Sequence, residues 1–294
     1  MRFKALICFL LLLTALLSGC CQEVPCQVVA TTLPVYQFTS ALCEGTDISV
    51  TQLITQQVSC LHDYSLNVSQ VRTLEAAQVV VISGGGLEEF MEDVLASASY
   101  IIDSSRGVPV LKCEEAMHQE DDHQEHHHHE QDAHIWLSPA NARIMARNIA
   151  AGLAQTYPQY QVRIQVNLER LEQQLQDLDD YGHNRLKDLS CRELITFHDG
   201  FGYFADAFDL SILEAIEEES GREASAQELK NMIGLVREHQ LPAVFTEVCG
   251  SVSAADIIAA ETGAKVYSLD MAMSDGDYFS SMYHNIDTVR EAMK

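Results

Sequence analysis

The sequence predicts an α/β fold of two lobes, each a mostly parallel sheet flanked by helices, joined by one long backbone helix. Three observations carry this. Short apolar runs at 28–32, 77–82, 193–197, 243–246 and 264–269 are continuous rather than alternating, as strands covered on both faces must be. Helical stretches separate them, which is the alternation of a parallel sheet. Between two such blocks lies a polar stretch, 159–186, with Leu168, Leu171, Leu175 and Leu178 at helical spacing. Roughly 28 residues at a rise of about 1.5 Å each give about 40 Å, enough to act as a strut between two lobes.

In order, residues 28–32 read as a buried strand ending in Thr-Thr-Leu-Pro, and 35–43 as a helix with Gly45 as its stop. A second strand at 48–54 leads into a loop carrying Cys60-Leu61-His62-Asp63-Tyr64. Asn67 or Ser69 caps a helix over 69–76. The strand at 77–82 runs into Ser83-Gly84-Gly85-Gly86, which lacks the Gly-Lys-Ser/Thr ending of a phosphate loop and the spacing of a dinucleotide fingerprint, so neither is read there. A helix over 87–97 and a short strand at 100–102 complete the first block. Ser138-Pro139 starts a helix, with serine at the cap and proline in the first turn, running to about 156 before Tyr157-Pro158 interrupts it. After the strut come a strand at 193–197, a helix at 203–208, a strand or extended segment at 210–216, and a helix at 225–240. That last helix opens on the capping box Ser225/Glu228. A strand at 243–246, a helix at 254–262 stopped by Gly263, a strand at 264–269 and a helix at 278–293 close the chain. The expected divisions are 1–19 (signal), 20–27 (anchor and linker), 28–157 (first lobe, with a loop at 118–132), 158–188 (connecting helix) and 189–294 (second lobe).

A length of 294 residues allows one large domain or two of ordinary size, and 47% hydrophobic content supplies real cores. The net charge of -25 repels a polyanion, so nucleic acid is not an expected partner, and it suits a protein that meets cations. At the N-terminus, Arg2 and Lys4 precede an apolar run over 5–17 that is short for a membrane span. Leu17-Ser18-Gly19-Cys20 resembles the bacterial lipoprotein signal, which implies cleavage before Cys20 and lipidation of its thiol. The expected product is held by that lipid on the outer face of the cell membrane, at the cell surface or in the periplasm. Setting aside Cys8 and Cys20 leaves Cys21, Cys26, Cys43, Cys60, Cys113, Cys191 and Cys249 of the nine cysteines. Seven is odd, no Cys-x-x-Cys pair occurs, and the pairing is open.

The chemistry-bearing stretch is 118–139. Its first half, with His118, His123, His126, His127, His128 and His129 among acids and glutamines, has no apolar face to bury and is expected to be a mobile loop. Imidazoles and carboxylates are the side chains that bind zinc, copper or nickel, and here they would do so weakly. The second half turns apolar at His134-Ile135-Trp136-Leu137, a wall that can position an imidazole. His62, His198 and Asp270 each follow a short strand, and loops beyond the carboxyl ends of strands line the ligand crevice of parallel sheets. Two sheets facing each other would bring His62 and His134 against His198 and Asp270. Three imidazoles and one carboxylate fill a tetrahedral zinc shell. Asp63, Asp132 and Asp199 flank these ligands and are candidates to orient them. Because such ligands must lose protons to bind, affinity should fall as pH drops through the imidazole range.

The chain resembles the solute-binding proteins of zinc and manganese ABC importers, a family that includes adhesin-like lipoproteins. Val29-Ala-Thr-Thr-Leu-Pro-Val-Tyr36, His62-Asp-Tyr-Ser65, Asp132-Ala-His134-Ile-Trp-Leu-Ser-Pro139, Phe197-His198-Asp-Gly-Phe-Gly-Tyr-Phe204 and Ala259-Ala-Glu-Thr-Gly-Ala-Lys-Val266 leading to Leu269-Asp270, with Glu247 before them, carry the likeness. It implies two lobes joined by a stiff helix, a metal between them, limited lobe motion, and delivery to a membrane permease driven by an ATPase. The receptor is expected to be a monomer. Nitrogen donors at His62, His134 and His198 favour zinc, and manganese-carrying members often have an acid where His198 stands. The acidic histidine loop goes with the zinc branch. Manganese or iron is the alternative cargo, and a surface zinc-buffering adhesin is another reading. Cys60, two residues before His62, departs from the family pattern and could compete for the ion. A secreted zinc hydrolase is the rival from a different class, but there is no His-Glu-x-x-His, and four protein ligands leave no open position. The sequence therefore reads as a receptor and not an enzyme.

Overall fold

The computed structural model describes residues 27–56, 61, 64–111, 132–217, 224–248, 250, 252–273 and 276–294. The expected signal and Cys20 anchor, Cys60, His62, Asp63 and the histidine run His118–His129 lie outside the described residues.

In the first lobe, strand β1 (Gln27–Ala30) is flanked by β2 (Ser49–Gln52) and β3 (Val79–Ile82), and β4 (Ile101–Asp103) pairs with β3. The sheet order is β2-β1-β3-β4, and every pairing is parallel. Val28 pairs with Val50 and Val79, and β1 and β3 are buried on both faces, which is why their sequences do not alternate. Helix α1 (Leu33–Leu42) follows β1 with Pro34 in its first turn. Helix α2 (Val68–Glu75) starts at Asn67, whose side chain accepts from the backbone of Ser69 and Gln70 while Gln70 returns a bond to the Asn67 N–H.

The continuous helix expected at 87–97 is not formed. A 3-10 turn (Glu89–Met91) and one α-helical turn, α3 (Glu92–Leu95), replace it. The cause is Glu88, whose carboxylate turns inward and accepts from Ser83 N (2.7 Å), Gly84 N (2.9 Å) and Thr31 Oγ1 (2.6 Å). Gly84, Gly85 and Gly86 all sit at positive φ, from 67° to 92°, where a side chain is strained. Ser83 and Gly84 thus hold the carboxylate through their backbone N–H groups, while Gly85 N donates to Ser105 Oγ, at the crevice between β1 and β3 where the strand order reverses.

Burial raises the Glu88 carboxyl from 4.5 to about 7, against the pull of its three donors. The folded chain therefore holds this proton over a range where the unfolded chain has lost it. Glu88 disfavours folding increasingly as pH rises from about 4.5 to about 7, and the effect is flat above. Glu88→Gln removes this titration. The stability of wild type relative to the variant should fall by on the order of 2 kcal/mol between pH 5 and 8, read by urea unfolding at each pH. A pH-independent difference would show that the carboxyl does not titrate there.

The second lobe repeats the plan. Strands β5 (Glu193–His198), β6 (Ser211–Glu217), β7 (Ala243–Glu247) and β8 (Lys265–Leu269) form a parallel sheet of order β6-β5-β7-β8, with an irregularity between Leu194 and Ile195. The segment 210–216, expected as a strand or extended, is strand β6. Between the lobes run α4 (Pro139–Thr156), capped by Ser138, a 3-10 turn at Pro158–Tyr160, and α5 (Gln161–Leu186). The remaining helices are α6 (Gly202–Ala207), α7 (Ala226–Glu238) with the capping box at Ser225, α8 (Ser253–Thr262) stopped by Gly263 at φ 81°, and α9 (Tyr278–Ala292). Helix α5 has 26 residues, about 39 Å at a rise of about 1.5 Å. It is tied to the first lobe by Asn167, which donates to the carbonyls of Leu42 and Glu44, and by the Arg170–Glu44 ion pair. It is tied to the second by Tyr181 and Arg185, which both donate to Asp287 of α9.

Among the described residues the larger of two hydrophobic clusters runs through both lobes, and the smaller lies in the second lobe around Ile195, Val244 and Ile258. The centre of the larger is Trp136, fully buried, whose Nε1 donates to the Met271 carbonyl (2.8 Å) while its own carbonyl accepts from Tyr278 Oη (2.8 Å). Tyr278 stacks edge-on against Phe38 of α1, and Gln37 bonds both Gly276 O and Tyr278 N. Among the described cysteines, Cys43 and Cys191 are free, and burial pushes the Cys43 thiol up to about 12, so it stays protonated and unreactive. No helix among the described residues is long and apolar enough to cross a membrane.

Candidate metal centre

In the second lobe the strand order reverses between β5 and β7, and the residues closing those two strands are His198 and Glu247. Both are buried. That is the crevice position expected of a ligand group in a parallel sheet. Gly200 follows because nothing larger fits: a Cβ there would lie 2.6 Å from Met271 Cε and 2.7 Å from His198 Cδ2.

His134 arrives from the first lobe. It precedes a 3-10 turn (Ile135–Leu137) whose three side chains are buried, so the backbone is anchored immediately beyond the imidazole. Asp132 Oδ1 accepts from the His134 backbone N (2.8 Å) and contacts its Nδ1 (2.9 Å). A carboxylate at that distance places the proton on Nδ1 and leaves Nε2 with its lone pair directed outward. The Trp136 ring packs edge-on against His134, with centroids 5.4 Å apart.

The two imidazoles meet across the lobes. His134 Nε2 and His198 Nε2 are 3.4 Å apart, with ring planes at 87°. Two nitrogens bound to one zinc ion at about 2.0–2.1 Å in a tetrahedral shell are separated by about 3.3–3.4 Å. The pair therefore stands at the spacing such an ion requires. Behind His198, Glu247 Oε1 lies 3.9 Å from Nδ1, beyond hydrogen-bond length.

Asp270 follows β8 on the same rim of the second lobe. Its Oδ1 accepts from Ala272 N (2.8 Å) and its Oδ2 from Ser281 Oγ (2.7 Å), while Asn285 holds its backbone on both sides. It is one residue before Met271, the acceptor for Trp136. Among the described residues no three His, Cys, Asp or Glu side chains converge as a metal-holding group, so Asp270 does not complete a cluster with the two imidazoles. The fourth expected ligand, His62, lies outside the described residues. Asp132 takes the orienting place expected of it. In the sequence Glu247 stands out only within a motif, although an acid closing a five-residue buried strand is a visible signal.

Two parallel-sheet lobes, a long connecting helix and a pair of imidazoles facing each other between the lobes define a two-lobed solute-binding protein of the metal-binding class. The chain belongs to the ZnuA family, zinc-uptake complex component A, periplasmic, whose profile matches residues 28–292. It is 28% identical over 283 residues to the high-affinity zinc uptake system protein ZnuA of Bacillus subtilis, covering 90% of this chain and 87% of that relative. Among solved structures, a zinc-bound deletion mutant of ZnuA is similar with a TM-score of 0.76 and 28% identity, over 91% of this chain and 98% of that one. The metal-dependent lipoprotein YcdH of Bacillus subtilis is similar at 0.76 and 25% identity, over 91% and 98%.

Proposed function

We propose that the protein captures zinc outside the cytoplasm, at a site built on His134 and His198 with His62 and Asp270 as the further ligands, Asp270 joining the imidazoles only when the ion is bound, and delivers it to a membrane permease of the ABC type. The observation that carries this is the 3.4 Å separation of the His134 and His198 Nε2 atoms, one from each lobe. Pre-set nitrogens need little reorganisation to receive the ion, and a nitrogen-rich donor set favours zinc over manganese. The names of the similar proteins, a zinc uptake protein and a zinc-bound ZnuA, support the same cargo. The ion is cargo, bound and released unchanged, so the protein is a receptor and not an enzyme. Lipidation at Cys20 would hold it, as a monomer, beside the permease. The six histidines from His118 to His129 would gather further ions weakly.

The test is a zinc titration against a competing chelator, on the mature chain and on a form lacking 118–131. Both should show one tight site, the full form adding weak binding that the shortened form lacks. Absence of any tight zinc in both would remove the assignment.

A further inference from the structure

The second lobe reaches across to the first through Tyr203. Tyr203, on α6, is almost wholly buried. Its hydroxyl donates to the Pro109 carbonyl (3.0 Å) and accepts from the Leu111 backbone N–H (3.0 Å). The Leu111 carbonyl in turn accepts from Asp132 N (3.2 Å), and Asp132 Oδ1 holds the His134 imidazole and backbone. The neighbouring Gly202 leaves room for the same carboxylate, since a Cβ there would lie 2.7 Å from Asp132 Oδ2. Helix α6 begins four residues after His198.

We propose that Tyr203 is a positioning residue for zinc capture, acting through Leu111 and Asp132 to fix the His134 ring, so that each lobe's imidazole is aimed from the second lobe. This rests on the reading of His134 as a ligand, but the link itself can be observed without an ion. The hydroxyl makes two bonds with the segment 109–111, and Leu111 makes one bond with the residue orienting His134. Removing the hydroxyl frees Leu111 and, with it, Asp132. The ring of Tyr203 continues to pack, so the effect is on aim rather than on the core.

The experiment uses the full chain, wild type and Tyr203→Phe, with histidine labelled for NMR. Solvent exchange of the His134 Nδ1 proton in the metal-free protein should be at least about tenfold faster in the variant, because the bond to Asp132 opens more often. Zinc affinity should fall about threefold to tenfold, less than the 10–100-fold typical of a direct partner of a ligand. In an Asp132→Asn background the Tyr203→Phe change should add less than about twofold, because the two act in series. Tyr181→Phe, which removes a hydroxyl bond to Asp287 far along α5, controls for simple loss of stability and should leave both readouts unchanged. An unaltered exchange rate in Tyr203→Phe, or an affinity loss that adds fully to that of Asp132→Asn, overturns the proposal. A wild type without tight zinc would overturn the capture function instead, while the exchange rate would still decide the positioning role.

Discussion

His134→Ala is expected to lower zinc affinity by at least about a hundredfold, because losing a ligand costs more than the 10–100-fold typical of losing a ligand's partner. The effect has two parts. One of the two nitrogens at zinc-bonding separation disappears. The Asp132 carboxylate, itself buried, also loses the imidazole it holds and keeps only the backbone N–H of residue 134. His198→Ala removes the opposite nitrogen and should weaken binding to the same order. His134→Gln separates the two parts, since an amide can still face Asp132 without supplying the imidazole nitrogen. Chelator competition reads the affinities, and circular dichroism shows whether the fold survives. Wild-type affinity in both alanine variants would place the ion elsewhere.

Trp136→Ala is expected to destabilise the protein by about 4 kcal/mol, within the range for deleting a large buried aromatic. Trp136 is the only tryptophan, is fully buried, and joins the lobes through the Met271 carbonyl on one side and Tyr278 on the other. Its loss leaves a cavity and an acceptor without its donor, which adds about 1–3 kcal/mol unless water enters. Trp136→Phe keeps part of the volume but not the N–H, so it should cost less than the alanine change. Urea unfolding at 25 °C gives the values. A loss under about 1 kcal/mol for alanine would mean that the lobes do not depend on this contact.

Much of the architecture was legible because it rests on local rules. The Ser138-Pro139 start, the Ser225 capping box and the Gly263 stop read directly, and of the two candidate caps Asn67 and Ser69 it is Asn67 that serves, since each satisfies backbone groups within a few residues. The helix expected at 87–97 failed because Glu88 serves a distant loop rather than its own turn, and nothing in the local pattern announces that. His134 and His198 were legible as strand-end or wall-backed histidines. Their 3.4 Å approach was not, because it depends on how two sheets pack through Trp136 and α5. Tyr203 is legible only as part of the 197–204 motif, which says nothing of its hydroxyl, and only tertiary contact shows that group gripping Pro109 and Leu111.

Helix α5 is fastened near one end to Leu42 and Glu44 and near the other to Asp287. A rod pinned at both ends resists bending and twisting, so the outline of the molecule should scarcely alter between empty and loaded forms. A docking partner could not tell the two apart by silhouette. It would have to sense the texture of the crevice mouth, and scattering curves recorded with and without the ion should superimpose.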